Sequence, residues 1–183
     1  MDRIQRMDNK ILDAIQRRMR CRFLDIVMPA VSVSANLGAV WLAVIVAFIV
    51  SERYRRNGFI LAGMLALCII VGNFGLKPYA ARLRPCHEDP DHPLLIRRPL
   101  DYSFPSCHTL AAFACAMAIF WANPFFGFCA FVYAVLIAFS RMYLFVHYPS
   151  DVFAAMIIGV TMPWSAVVLL IRLRRREKKP RVI

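Results

Sequence analysis

Three short clusters in this chain hold residue types that could work on a phosphate. The first is Lys77, then six residues, then Arg84-Pro85; the second is Pro105-Ser106-Cys107-His108; the third is Ser140-Arg141, five residues, His147, three residues, Asp151. Lys77, Arg84 and Arg141 offer one point charge and two planar forks, donors suited to phosphate oxygens. Ser106 stands where a helix is expected to begin, so its hydroxyl and the backbone N–H groups after it add an anion-binding helix end. His108 and His147 supply two imidazoles to attack or protonate the bound group. Asp151 falls one helical turn beyond His147 on the same face, where a carboxylate can fix a ring tautomer.

The elements that must position these groups are membrane helices. The chain has 183 residues, is 60% hydrophobic, and still carries a formal charge of +12. A soluble domain of this size has too little interior for so much apolar material. Nucleic acid is not the expected partner of the excess charge, because the cations flank apolar runs and the termini, where the positive-inside bias and anionic head groups place them. The six cysteines show no paired metal spacing and several lie inside apolar runs, so neither a metal site nor a disulfide framework is expected. The first residues lack the continuous apolar core of a cleaved signal peptide.

Along the chain, residues 1–22 read as an N-terminal amphipathic helix at the interface, 23–171 as one transmembrane domain, and 172–183 as a basic cytoplasmic tail. The apolar run from Phe23 to Val50 is broken by Ser32, Ser34, Asn36 and Gly38. It is either one long tilted span, or a short helix to about Ser34 followed by a span from about Leu37. Further spans are expected at Gly58 to Leu76, Leu110 to Ala122, Phe125 to Phe139 and Val152 to Ile171, with Asn123-Pro124 turning between two of them. Lys77 to Cys107 holds too many prolines for a continuous helix and reads as a functional loop. The fold class is therefore all-α, a polytopic membrane bundle of five to six spans.

Counting crossings from a cytoplasmic tail puts all three clusters at the outer membrane face. The N-terminus shares that face if Phe23 to Val50 crosses once, and lies inside if that run is a hairpin. Outside the clusters, His87 and His92 read as solvated, Arg97 and Arg98 as head-group contacts or solvated charges, and Arg82 as a decoy beside Arg84.

The clusters resemble the motifs K-x6-R-P, P-S-G-H and S-R-x5-H-x3-D of the type 2 phosphatidic acid phosphatase (PAP2) superfamily of membrane lipid phosphatases, in the same order. The resemblance implies that His147 is the nucleophile, oriented by Asp151. It implies that His108 protonates the leaving oxygen and then activates water against a phosphohistidine. Lys77, Arg84, Ser106, the Cys107 backbone and Arg141 would hold the phosphoryl oxygens, with no metal and no cofactor. One position departs: Cys107 replaces the family glycine. If that glycine serves only through its N–H, Cys107 supplies the same donor; if it needs a positive φ, Cys107 is strained. A helix start, with its right-handed angles, favours the first reading.

The implied substrate is a lipid phosphate or diphosphate: undecaprenyl diphosphate by preference, then phosphatidylglycerol phosphate or phosphatidic acid. The implied location is a bacterial inner membrane. The competing readings are a lipid phosphotransferase using the same site and a non-catalytic lipid-binding or transport module.

Overall fold

The structure, a computed structural model, describes the backbone of residues 3–177, and the side chains of 3–36 and 38–164. Every regular element among these residues is helical. In chain order they are α1 (Arg3–Arg18), α2 (Arg22–Ser34), α3 (Ala39–Val50), α4 (Arg55–Ile69), α5 (Lys77–Ala80), α6 (Pro85–Glu88), α7 (Cys107–Ala122), α8 (Pro124–Tyr143) and α9 (Pro149–Glu177). A π-helical stretch, Ile70–Leu76, joins α4 to α5 without a break. The basic tail expected at 172–183 continues α9 to Glu177, and its remainder lies outside the described residues.

Helix α7 is the centre of the bundle and packs against α4, α8 and α9. Its run of alanines makes this possible, since Ala112, Ala114 and Ala116 are fully buried and let neighbouring backbones close in. The tightest approach is to α8, where a Cβ on Gly127 would stand 2.2 Å from the Phe120 Cα. Outward, α3 is apolar all round: Leu42, Val46 and Val50 are exposed, as are Phe128, Val132 and Val135 on α8. An apolar exterior of this kind suits lipid and would be a liability in water.

Among the described residues two stretches are long and apolar enough to cross a membrane, Arg55–Glu88 and Pro124–Tyr143, and α2 with α3 forms a third candidate bent by 51°. The Phe23 to Val50 run is thus two helices joined by a short 3-10 turn, Asn36–Gly38. They do not form a hairpin. At one end of the bundle the Tyr143 hydroxyl donates to Asp25 (2.8 Å), near the start of α2. At the other end Asn123 donates to the Tyr54 hydroxyl (3.1 Å), just beyond α3. Helix α1 packs against α8 and α9, with its Gln16 side chain donating to the Tyr143 carbonyl (2.9 Å), so the N-terminal helix sits at the end where α8 finishes and α9 starts.

Local sequence explains the ends. Asn123 caps α8 by accepting from the Phe125 and Phe126 N–H groups at 3.0 and 3.2 Å, with Pro124 in the first turn, where its missing N–H costs nothing. The proline-rich segment after α5 forms only single helical turns and irregular loop, as its composition requires.

Candidate active site

The end of the bundle opposite Asn123 holds a cavity of about 690 Å³. Lys77 reaches it from α5, directly after the π-helical stretch, which swells the helix one turn before the lysine. Arg84 enters from the start of α6, Cys107 and His108 from the first turn of α7, Arg141 from the last turn of α8, and His147 from the loop before α9. Six residues spread over 70 positions of sequence therefore line one cavity. Arg97 and Arg98 also line it, so these arginines are not simply solvated; Arg98 also donates to the carbonyls of Cys86 (2.5 Å) and Pro90 (2.8 Å).

His147 is 1% exposed. Arg84 Nη1 lies 2.9 Å from its Nε2, and a guanidinium can only donate, so Nε2 carries the lone pair and Nδ1 the proton. The protonated Nδ1 faces Asp151 Oδ2 at 3.8 Å and the Ser103 hydroxyl at 3.5 Å. Burial, and then the charges of Arg84, Arg141 and Lys77, hold the His147 pKa well below the ordinary imidazole value. The ring is thereby kept neutral with its lone pair turned to the cations. Asp151 is fixed by several donors: Ser103 Oγ (2.5 Å) and the Tyr148 N–H (3.0 Å) on Oδ2, and Arg82 Nη1 (2.6 Å) on Oδ1. Arg82, read from sequence as a decoy, is in fact bound to the carboxylate behind the histidine.

Lys77 and Arg84 share one carboxylate, Asp101. Lys77 Nζ pairs with Oδ2, and Arg84 Nη2 donates to Oδ1 at 2.8 Å. Burial pushes the Asp101 carboxyl up, but the hydrogen bond to Lys77 and the charges of Arg84 and Lys77 outweigh it and hold it at about 2. Arg141 differs. It is 3% exposed, its Nη1 contacts the Ser32 hydroxyl, its Nε has no hydrogen-bond partner, and no carboxylate pairs with it among the described residues. A buried guanidinium without a counter-charge is costly, several kcal/mol by order of magnitude, and an anion in the adjoining cavity would remove that cost.

The remaining expected residues are placed as follows. Ser106 is fully buried and pairs with the Thr109 hydroxyl (3.0 Å), so Cys107, not Ser106, lines the cavity from this turn. Cys107 is the first residue of α7 and is not among the positive-φ residues, and its thiol donates to Asn73 (3.1 Å). His108 Nε2 pairs with Asn36 Oδ1 at 2.9 Å, from the turn between α2 and α3. His87 pairs with the Pro99 carbonyl (2.9 Å), and His92 stacks on Phe145 with ring centroids 3.9 Å apart, so neither is simply solvated. Sequence reasoning missed Asp8, Ser32, Asn36, Asn73, Asp101 and Ser103. The signal within reach was Asp101-Tyr102-Ser103, polar residues immediately before the Pro105-Ser106-Cys107-His108 cluster.

The chain is similar to known proteins in sequence and in fold. The undecaprenyl-diphosphatase of Sulfolobus acidocaldarius is 32% identical over 129 residues, covering 70% of this chain and 62% of the relative. The chain thus spans less than two thirds of that relative's length. Two crystal structures share the fold. The PAP2-type phosphatidylglycerolphosphate phosphatase of Bacillus subtilis superposes with a TM-score of 0.74 at 22% identity, covering 100% of this chain and 90% of that one. LpxE of Aquifex aeolicus superposes with a TM-score of 0.76 at 24% identity, covering 88% and 94%. A sequence model of the PAP2 superfamily matches residues 57–176, the stretch that holds all three clusters, and the chain belongs to that superfamily.

Proposed function

We propose that the chain is an integral membrane phosphatase that removes a terminal phosphate from a lipid phosphate or diphosphate. The observation that carries this is Arg141: a buried guanidinium with no carboxylate paired to it among the described residues, opening on the same cavity as Lys77, Arg84 and His147, calls for an anion of phosphate type. In the first step His147 Nε2 attacks phosphorus while the bond to the lipid oxygen breaks, and that oxygen takes a proton from His108. In the second, His108 removes a proton from water, the hydroxide attacks phosphorus, and the P–N bond breaks to release inorganic phosphate and restore His147. Asp151 stabilises the Nδ1 proton throughout. Lys77, Arg84 and Arg141 hold the equatorial oxygens, aided by the backbone N–H groups of Cys107 and His108 in the first turn of α7, while the Ser106 N–H donates to the Asp151 carbonyl (3.4 Å), so the charge stabilisation is the protein's own and needs no metal.

The lipid substrate reaches the cavity between helices, with undecaprenyl diphosphate the preferred candidate and phosphatidylglycerol phosphate and phosphatidic acid behind it. This reading carries a topology of five crossings (α2 with α3, α4 with α5, α7, α8 and α9), with residues 1–22 lying on the outer face of a bacterial inner membrane and the tail from 172 in the cytoplasm. The test uses purified protein with each of the three lipids, measuring released inorganic phosphate alongside labelled lipid product. Phosphate release that is abolished in His147→Ala, with the fold retained, supports the proposal. Label appearing in a second lipid would establish the phosphotransferase, and turnover at the wild-type rate in His147→Ala would remove the mechanism.

A further inference from the structure

Helix α1 buries one carboxylate among the apolar residues of its inner side. Ile4, Met7 and Ile11 are exposed, whereas the buried side carries Asp8 together with Leu12 and Ile15. Three apolar side chains thus lie at the surface while a carboxylate, 3% exposed, points into the protein. Burying that carboxylate demands partners, and they are specific. Asp8 Oδ1 accepts from the Ser150 backbone N–H (2.9 Å), and Oδ2 accepts from the Ser150 hydroxyl (2.6 Å) and Arg82 Nη2 (2.8 Å). The Ser150 N–H belongs to the first turn of α9, where backbone donors have no partner inside the helix. Asp8 therefore caps α9 from a different helix, at the positive end of its dipole.

Asp151 is the next residue in that turn. Arg82 grips both carboxylates at once: Nη1 donates to Asp151 Oδ1 (2.6 Å) and Ser150 Oγ (2.7 Å), Nη2 to Asp8 and to Gln5 (2.6 Å). Its guanidinium carbon lies 4.0 Å from the centre of the Tyr148 ring. With Oδ1 held by Arg82, only Oδ2 is turned to His147 Nδ1. Planar, two-ended contact of this kind belongs to arginine and not to lysine.

From this network we infer that Asp8 and Arg82 are positioning residues for the reaction, acting through Asp151 to set the tautomer and orientation of His147. The inference rests on the role given to His147 and Asp151 above. It makes the N-terminal helix a working part of the site, joined through Arg82 to the carboxylate behind His147.

The test compares the wild type with Asp8→Asn, Arg82→Lys, Asp151→Asn, the double variant Asp8→Asn/Asp151→Asn, and His147→Ala, all as full chains in detergent, with farnesyl diphosphate and dioctanoyl phosphatidic acid as probes. Misorientation of a reacting group costs about tenfold or more in rate. Asp8→Asn and Arg82→Lys should each lower kcat by about that factor with KM within about twofold, and Asp8→Asn should have little further effect once Asp151 is Asn, because the two act on one path. If Asp8→Asn is not recovered folded, Arg82→Lys gives the same kcat-against-KM readout. A wild-type kcat in either variant, or an equal fold-loss from Asp8→Asn with and without Asp151, overturns the inference while His147→Ala stays inactive. An active His147→Ala overturns the site reading first and this inference with it.

Discussion

Asp101 is the residue whose removal should strengthen binding. Its carboxylate bridges Lys77 and Arg84, two of the three cations assigned to the phosphate, so an incoming phosphate must displace it. Asp101 is 50% exposed, so each pair belongs near the surface end of the scale, about 0.5–1 kcal/mol. Two pairs together make about 1–2 kcal/mol, or about five- to thirtyfold in a dissociation constant. Asp101→Asn keeps the shape and removes the charge. The inhibition constant for inorganic phosphate, and for orthovanadate as a second probe, should fall by that factor. Because the ion pairs hold Asp101 at about 2, the wild type should show no tightening from Asp101 protonation between pH 7 and about pH 4. Unchanged or weaker phosphate inhibition in Asp101→Asn would refute the idea that this carboxylate competes for the phosphate cations.

Three further outcomes are expected. Gly127→Ala forces a Cβ to 2.2 Å from the Phe120 backbone, which cannot rotate away, and overpacking of this kind costs about 1–3 kcal/mol; a thermal midpoint in detergent equal to the wild type would contradict the tight α7–α8 contact. A small methanethiosulfonate reagent should inhibit the wild type by modifying Cys107 in the cavity, while Cys107→Gly, which needs no positive φ at that position, should stay active and resistant; inhibition of both equally would place the sensitive thiol elsewhere. His147 is held neutral when folded, whereas the unfolded chain protonates it near its ordinary pKa of about 6.5. The unfolded state then binds the extra proton below that pH, so stability falls on acidification, by about 1 kcal/mol at pH 5.5. His147→Gln should remove this part of the pH dependence of the unfolding midpoint, and an unaltered pH dependence would contradict the assignment.

The three motif clusters are legible in sequence because phosphate chemistry needs fixed residue types at fixed spacing, and Lys77, Arg84, His108, Arg141 and His147 do reach one cavity. Helix positions were legible for a related reason: long apolar runs bounded by Asn123-Pro124 or by charge have few alternative structures. Asp8 was not legible, because 143 positions separate it from Asp151 and only the packing of α1 on α8 and α9 joins them through Arg82. Arg82 itself looks redundant beside Arg84 until the backbone between α5 and α6 turns the two side chains to different partners. Ser32 and Asn36 read as interruptions of an apolar run, yet they contact Arg141 and His108. Polar residues inside a membrane helix need partners, and that rule would have flagged both. The side of the N-terminus was undecidable from charge counting, since its cations argue for one face and a single crossing for the other.

The most direct measurement is a rapid acid-free quench of the His108→Ala variant with ³²P-labelled lipid diphosphate, followed by mapping of the label. With a diphosphate the departing lipid monophosphate needs little protonation, so loss of His108 slows the attack of water more than the first displacement and should let the covalent intermediate accumulate. An acid-labile, base-stable phosphohistidine at residue 147, approaching one per chain and absent from His147→Ala, is the expected result. Label on another residue, or no label in a variant that still binds phosphate and slowly turns over, would contradict nucleophilic attack by His147.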